Sequence, residues 1–186
     1  ITFDKNGNIV SRPLTKFFNV GEREETQVHK LDWNSVVRVM DKLDGSNIHG
    51  VNVDGKMIMK SKKSFDSDVA KAAQNWLKSD NKEAEKINKL NEWCIKENLT
   101  PTYEWTSPDA RIVLSYNESQ LRLLHIRENV SGKYFTKEEL ESICEIYKVI
   151  KVDEMDISTF DINHYLNLAK TSEGVEGWII QFASGE

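Results

Sequence analysis

Lys42 is the residue whose type and position most clearly suggest chemistry. It stands in the run Asp41-Lys42-Leu43-Asp44-Gly45, directly after an apolar, β-branched segment. A lysine amine attacks phosphorus or a carbonyl carbon only when it is neutral, so its ordinary pKa of about 10.4 must be lowered by burial or by neighbouring cations. A lysine held at the end of a rigid strand is therefore a candidate nucleophile. The alternative is an ordinary Asp-Gly turn beside a solvated lysine, because so short a pattern often arises by chance.

A second group of lysines could bind phosphate. The stretch from Lys56 to Ser64 contains Lys60, Lys62 and Lys63 and no acidic residue. Side chains two residues apart in a strand project from the same face, so we expect Lys60 and Lys62 to share a face. The alternative is a solvated edge strand that its lysines protect from aggregation.

Two acidic residues occupy unusual positions in apolar segments. Glu104 lies between two aromatic residues in a predicted strand, and Glu176 precedes Gly177 at the start of another. Burying an unpaired carboxylate costs several kcal/mol, so we expect both acids to converge on one polar pocket that also contains Lys42. Two such acids could hold a ribose hydroxyl and a hydrated Mg²⁺. The alternative is that each is an ordinary surface acid.

The elements that must position these residues follow from hydrophobic periodicity and turn chemistry. Hairpins are predicted over residues 1–12, around Asn6-Gly7, and at Asp54-Gly55. Strands are predicted at 35–40, 47–53, 56–60, 102–105, 121–126 and 178–182. Helices are predicted where apolar residues share a face: Val69, Ala72, Ala73, Trp76 and Leu77; Ile87, Leu90, Trp93 and Cys94; Leu140, Ile143 and Ile146 after a capping box at Thr136; and about Thr159 to Lys170. This pattern predicts one α+β domain over residues 1–186, with largely antiparallel sheets flanked by helices.

Composition narrows the classes of protein. The 186 residues include 25 basic and 30 acidic ones, and a net charge of -5 argues against a protein that coats nucleic acid by bulk charge. No apolar run approaches the roughly 18 residues of a membrane helix. Cys94 and Cys144 form no C-x-x-C pair, so neither a disulfide framework nor a zinc finger is indicated, and a cytoplasmic location is expected. The histidines His29, His49, His125 and His164 lack metal-ligand spacing and are interpreted as structural.

Five segments, in order, resemble motifs I, Ia, III, IIIa and IV of the covalent nucleotidyltransferases, which are the ATP-dependent polynucleotide ligases and capping enzymes. They are Lys42-Leu43-Asp44-Gly45, Lys60-Ser61-Lys62, Tyr103-Glu104-Trp105, Leu124-His125-Ile126-Arg127-Glu128 and Glu176-Gly177-Trp178. Residues 11–19, from Ser11-Arg12-Pro13 to Lys16-Phe17-Phe18-Asn19, and residues 108–116 look like segments of the bacteriophage RNA ligase 1 family, the tRNA-repair ligases. The resemblance covers nearly the whole chain, and its specificity lies in the order and spacing of the motifs.

The resemblance implies a nucleotidyltransferase (adenylation) domain that uses ATP and Mg²⁺ to join RNA 5′-phosphate and 3′-hydroxyl ends through lysyl-AMP. The RNA would be a nicked or broken tRNA, and the protein a monomer without a membrane segment, in the host cytoplasm if it is phage-encoded. The implied site consists of Lys42 as the adenylated lysine, Lys16 and Lys62 as phosphate contacts, Glu104 and Glu176 as nucleotide and metal-site acids, Phe18 as a residue that shapes the pocket, and Asp44 and Gly45 as further nucleotide-binding positions.

The family's upstream arginine and its motif V lysine pair fall outside these residues, so we expect a domain cut at both ends that reacts poorly with ATP. Two alternatives remain at this point. One is another covalent nucleotidyltransferase, either a DNA ligase or a capping guanylyltransferase. The other is a non-catalytic RNA-binding module.

Overall fold

The computed structural model describes residues 1–110, 114–158, 160–172 and 174–184. The chain divides into two compact units. The first unit contains Ile1–Leu14 and Leu43–Val152, and the second contains Thr15–Lys42 and Asp153–Glu186. The chain passes from the second unit to the first between Lys42 and Leu43. That the whole forms one domain stays a prediction.

Strands and helices lie close to where the sequence predicts them. In chain order, the strands are β1 (Thr2–Phe3), β2 (Ile9–Ser11), β3 (Val36–Asp41), β4 (Ser46–Val53), β5 (Lys56–Ser61), β6 (Leu99–Thr106), β7 (Gln120–Glu128) and β8 (Trp178–Phe182). The helices are α1 (Asp68–Leu77), α2 (Lys82–Lys96), α3 (Lys137–Tyr147) and α4 (Ile162–Thr171). The predicted start of the last helix, Thr159, lies outside the described residues.

The first unit is built on a four-stranded antiparallel sheet in the order β5-β4-β6-β7. The Asp54-Gly55 hairpin is confirmed, and both residues have the positive φ of a primed turn, 50° and 79°. Helices α1 and α2 begin at the side-chain caps Ser67 and Asn81 and pack on one face of the sheet. The core under them includes Ile48, Met59, Leu77, Leu90, Cys94, Tyr103, Trp105, Leu123 and Ile126.

Two of the predicted helix faces are confirmed except for one residue each, which the structure exposes. Helix α1 buries Ala70, Ala73 and Leu77, so Ala72 falls on the solvent side and its predicted burial is wrong. Helix α3 starts at the predicted capping box of Thr136 and packs through Leu140, with Ile143 and Tyr147 partly buried. Ile146, predicted to share that face, is 68% exposed. Ala72 and Ile146 lie outside the arc of the helix that the buried and partly buried residues occupy.

The second unit is built on an antiparallel ribbon of β3 and β8. The main chain of residues 153–155 extends it on the other side of β3, where Asp41 N–H donates to the Asp153 carbonyl and Met155 N–H donates to that of Val39. A chain of neighbouring aromatic rings packs within this unit. It runs from Trp178 through Tyr165, Phe160 and Trp33 to Phe182, with ring centroids 5.4–6.2 Å apart.

No described helix is long and apolar enough to cross a membrane.

A buried ion pair anchors β3 to the segment that follows the first unit. The guanidinium of Arg38 lies 2.7 Å from the carboxylate of Glu154, and the two side chains are only 2% and 4% exposed. Removing one partner of such a pair leaves the other charge buried without compensation.

Replacing Arg38 with Met should therefore lower the free energy of unfolding by about 3 kcal/mol. The matched control is Lys30→Met, which breaks an exposed pair with Glu24 and should cost less than about 1 kcal/mol. Urea unfolding followed by tryptophan fluorescence measures both. Equal effects of the two substitutions would contradict the importance of the buried pair.

Candidate active site

Lys42 is the first residue after β3, which confirms that it stands at a strand end. Its main-chain N–H donates to the carbonyl of Gly177 at 3.0 Å. Its ammonium forms an ion pair with the carboxylate of Glu176, and the two side chains are 32% and 27% exposed. The structure thus brings together the candidate nucleophile and one of the two candidate acids, at a position that a ligand can reach.

The register of β3 and β8 explains this contact. Asp41 is the Cα partner of Trp178, so the residues just beyond these two strand ends lie side by side. Gly177 has φ of +137°, a value that is essentially restricted to glycine. The glycine turns the chain immediately before β8 and so directs Glu176 towards Lys42. The glycine is required for its backbone conformation, since no atom would contact an added Cβ within 4 Å.

Asp44 belongs to the first unit and is only 2% exposed. Its N–H donates to the Tyr116 hydroxyl at 3.0 Å, and its carboxylate accepts a hydrogen bond from the N–H of Leu114. Asp44 is therefore a buried and hydrogen-bonded part of the turn, whereas the alternative of a solvated lysine concerns Lys42 and is not tested by these contacts. The contacts also connect it to the segment 108–116, of which residues 111–113 lie outside the described residues.

Gly45 packs directly against β6. A methyl group there would collide with the main-chain oxygen of Trp105 and would lie 3.1 Å from Cγ of Glu104. Only glycine therefore allows the turn to approach β6 this closely. Within the first unit, the structure thus brings Gly45 next to Glu104.

Glu104 is half-buried and lies on the sheet face opposite the helices. Cross-strand neighbours share a face, and the core residues Tyr103 and Leu123 occupy the other one. We define the polar face by two rows of paired residues: Asn47, Glu104 and Arg122 in the first, and Lys60, His49, Thr102 and His125 in the second. The expectation that Glu104 lies in a polar setting agrees with these neighbours.

His49 is a member of this polar face that sequence reasoning missed. It is 2% exposed, and its Nδ1 is buried with no hydrogen-bond partner among the described residues. Burial, with a smaller effect of the Lys60 charge, lowers its pKa to about 4. The one available signal in the sequence for the face that His49 occupies was its spacing of two residues from Asn47 and Val51, since residues two apart in a strand share a face.

Lys60 and Lys62 do not share one strand face as predicted. Lys60 lies in β5 opposite His49, whereas β5 ends at Ser61 and Lys62 follows it as an exposed residue. The Lys60 ammonium lies 3.4 Å from the Ser61 carbonyl oxygen and 5.7 Å from the ring centroid of Phe65. Since β5 is the edge strand of the sheet, the edge-protection alternative fits these lysines too.

Lys16 and Phe18 contact each other in the second unit. The Lys16 ammonium lies 4.6 Å from the ring centroid of Phe18, and the Arg23 guanidinium lies 4.7 Å from the same centroid. Attraction of cations to the ring face therefore places two positive charges at one aromatic side chain.

The convergence of Glu104 and Glu176 on one pocket stays a prediction, because they belong to different units. Within the described ranges, no three or more His, Cys, Asp or Glu side chains are grouped in a way that could hold a metal ion. Any divalent cation at Glu104 or Glu176 would therefore depend on oxygen ligands from water or from a bound phosphate.

A family model described as RNA ligase matches residues 1–186. The chain belongs to the RNA ligase family. A protein of Thermovibrio ammonificans that is provisionally named an RNA ligase is 29% identical over 180 residues, which are 96% of this chain and 45% of that protein. This RNA ligase family chain thus spans about half the length of the curated relative that it matches.

Solved structures of RNA ligases share the fold. The Naegleria gruberi RNA ligase with PPi has a TM-score of 0.61 at 16% identity, over 82% of this chain and 48% of that one. An archaeal ATP-dependent RNA ligase has a TM-score of 0.58 at 16% identity, over 82% and 40% of the two chains. The α+β fold expected from the sequence, with largely antiparallel sheets flanked by helices, is confirmed.

The depressed pKa of His49 predicts a loss of stability in acid. The unfolded imidazole has a pKa of about 6.5 and the folded one about 4. Between these values the unfolded chain binds more protons, so stability should fall by up to about 3 kcal/mol as the pH decreases from about 6.5 to about 4. His49→Gln should flatten this dependence in urea unfolding, and the exposed His164→Gln should not. A His49 NMR titration midpoint near 6.5 would contradict the prediction.

Proposed function

We propose that this chain carries the adenylation chemistry of an ATP-dependent RNA ligase, with Lys42 as the nucleophile. The observation that carries the proposal is the Lys42–Glu176 pair at the ends of β3 and β8, in a chain of the RNA ligase family. A nucleophilic amine must be reachable and fixed in direction. The Lys42 side chain is 32% exposed, and the main-chain bond to Gly177 and the carboxylate of Glu176 fix its direction. Solved relatives hold ATP with Mn, or PPi, which supports ATP as the nucleotide.

The reaction consists of three displacements at phosphorus. The neutral amine of Lys42 attacks the α-phosphorus of ATP, so that an N–P bond forms, the bond to pyrophosphate breaks and the amine loses a proton. An oxygen of an RNA 5′-phosphate then attacks the same phosphorus and releases the lysine. Finally, an RNA 3′-hydroxyl attacks the activated 5′-phosphorus, loses its proton and expels AMP. In the proposal, Glu176 would orient the amine in the first step, which their ion pair supports.

The other roles in the proposal rest on the motif resemblance. Lys16 and Lys62 would neutralise nucleotide phosphates, and Phe18 would shape the pocket between its two cations. Asp44 and Gly45 would fix the turn against Glu104, which would bind the ribose. A divalent cation, Mg²⁺ in the proposal, would be held by Glu104 or Glu176 and by phosphate oxygens, and would stabilise charge that develops on the phosphoryl group.

For the whole protein, we propose broken tRNA as the RNA, a monomer as the active form and the cytoplasm as the compartment. RNA as the class of substrate follows from the family. The tRNA preference rests on the resemblance of residues 11–19 and 108–116 to tRNA-repair ligases.

Replacing Lys42 with Ala should abolish the covalent labelling of the full-length protein by radioactive ATP, measured as label that stays on the protein after denaturation. The matched control is Lys56→Ala, which removes an exposed lysine at the start of another strand and should leave labelling intact. Circular dichroism checks that both variants fold. Persistent stoichiometric labelling of the Lys42 variant would contradict its role.

The same assay separates the non-catalytic and guanylyltransferase alternatives, whereas a DNA ligase would also take label from ATP and is distinguished by its acceptor. A non-catalytic RNA-binding module would take no label from any nucleotide, and a guanylyltransferase would take label from GTP in preference to ATP. Either result would overturn the proposal.

A further inference from the structure

Two arginines from distant parts of the first unit meet at Gly132. Arg127, in β7, donates through Nε to the Gly132 carbonyl at 2.6 Å and through Nη1 to the Pro13 carbonyl at 2.9 Å. Arg12 lies against the same glycine, since an added Cβ there would collide with Nη1 of Arg12. Gly132 also has φ of +77°, so both space and backbone conformation require glycine.

Neither guanidinium forms an ion pair with a carboxylate among the described residues. Arg127 stacks on the ring of Tyr134, with its Cζ 4.4 Å from the ring centroid. Glu128, the acid next to Arg127 in sequence, accepts a hydrogen bond from the Ser131 hydroxyl at 2.5 Å.

The two hydrogen bonds from Arg127 to main-chain carbonyls give this residue a structural role, because they connect the segment around Pro13 to the loop at Gly132. Nothing comparable explains Arg12. Its main-chain N–H donates to the Thr100 hydroxyl at 2.8 Å, but its Nε is buried with no hydrogen-bond partner in the described part of the chain. A buried guanidinium nitrogen without an acceptor costs free energy unless a ligand supplies one. Two adjacent guanidiniums without a counter-charge attract an anion, and their planar donors suit phosphate.

The arginine pair lies on the same sheet face as Glu104. Arg127 is the cross-strand partner of Thr100, which precedes Glu104 by four residues on β6. At about 3.4 Å per residue, Thr100 and Glu104 are about 14 Å apart along the strand. Lys62 follows Ser61, which pairs with Ile48, next to the Asn47–Glu104 row. The phosphate contact proposed for Lys62 thus lies at the other end of this face.

We propose that Arg12 and Arg127, held around Gly132, form a second phosphate site that binds a backbone phosphate of the RNA substrate. The identity of the RNA rests on the proposed function, whereas the anion site rests on the arginine geometry. The site would position the RNA strand at a distance from the nucleotide. The proposed site gives a role to Arg12 and Arg127, which lie in the segments 11–19 and 124–128 that carry the family resemblance.

The test measures binding of a fluorescent single-stranded RNA with a 5′-phosphate to the full-length protein, by anisotropy at several salt concentrations. Arg12→Gln should weaken binding roughly tenfold at low salt and should reduce the slope of log affinity against log salt by about 0.7, the value for one phosphate contact on a single strand. Arg12→Lys should keep most of the slope, because it keeps the charge. Lys89→Gln, on the helix α2 that packs on the other face, is the control for loss of one exposed charge.

Labelling by ATP in the absence of RNA distinguishes the two sources of phosphate. Weaker RNA binding with labelling retained supports an RNA site, whereas loss of labelling with unchanged RNA binding would assign the phosphate to ATP and overturn the proposal. RNA binding by Arg12→Gln equal to that of the unchanged protein would also overturn it. The measurement of RNA binding does not need an active enzyme. If the unchanged protein failed to label Lys42 but bound RNA through Arg12, the result would count against the proposed function and not against this site. A thermal melt of each variant separates lost binding from lost folding.

Discussion

The pairing of β3 with β8 is the constraint on which the candidate chemistry depends. These strands are 137 residues apart in the chain, counted from Asp41 to Trp178, yet their register sets Lys42 beside Glu176 and Gly177. The ribbon is fixed from the other side by the buried Arg38–Glu154 pair and by the aromatic rings around Trp178. A shift of β8 by one residue in this register would move Glu176 away from Lys42 and would turn the side chains of β8 to the opposite face.

The first unit keeps polar residues on one face of its four-stranded sheet, while the other face is buried under the helices. Alternation along β4, β6 and β7 gives the helices an apolar surface and leaves Glu104, His49 and Arg127 on the opposite face. Gly45 allows the turn after Lys42 to pack onto β6 beside Glu104. The motif Lys42-Leu43-Asp44-Gly45 spans the point at which the chain passes from one unit to the other. Lys42 belongs to the second unit, and Asp44 and Gly45 belong to the first.

The sequence predicts the elements well because their signals are local. Asp54-Gly55 predicts its hairpin, the capping box at Thr136 predicts α3, and β-branched runs predict β3 and β8. The errors arise where burial depends on distant residues. Ile146 is apolar and correctly spaced, but α3 packs through Tyr147 instead, and β5 ends before Lys62. The buried Arg38–Glu154 pair depends on tertiary contacts that no local pattern encodes, and so does the burial of His49 Nδ1, which has no hydrogen-bond partner in the described ranges. The order of motifs singled out Lys42, Glu104 and Glu176 as candidate site residues, and their roles stay predictions.

Locating the covalent nucleotide tests the central claim most directly. The full-length protein would be incubated with ATP and Mg²⁺, freed of unbound nucleotide, digested, and its peptides sequenced by tandem mass spectrometry. The account predicts AMP on Nζ of Lys42, in the peptide that contains Leu43-Asp44-Gly45, and its removal on addition of RNA with a 5′-phosphate. AMP on another lysine such as Lys16 or Lys62, or no covalent AMP in a protein that still joins RNA, would contradict it.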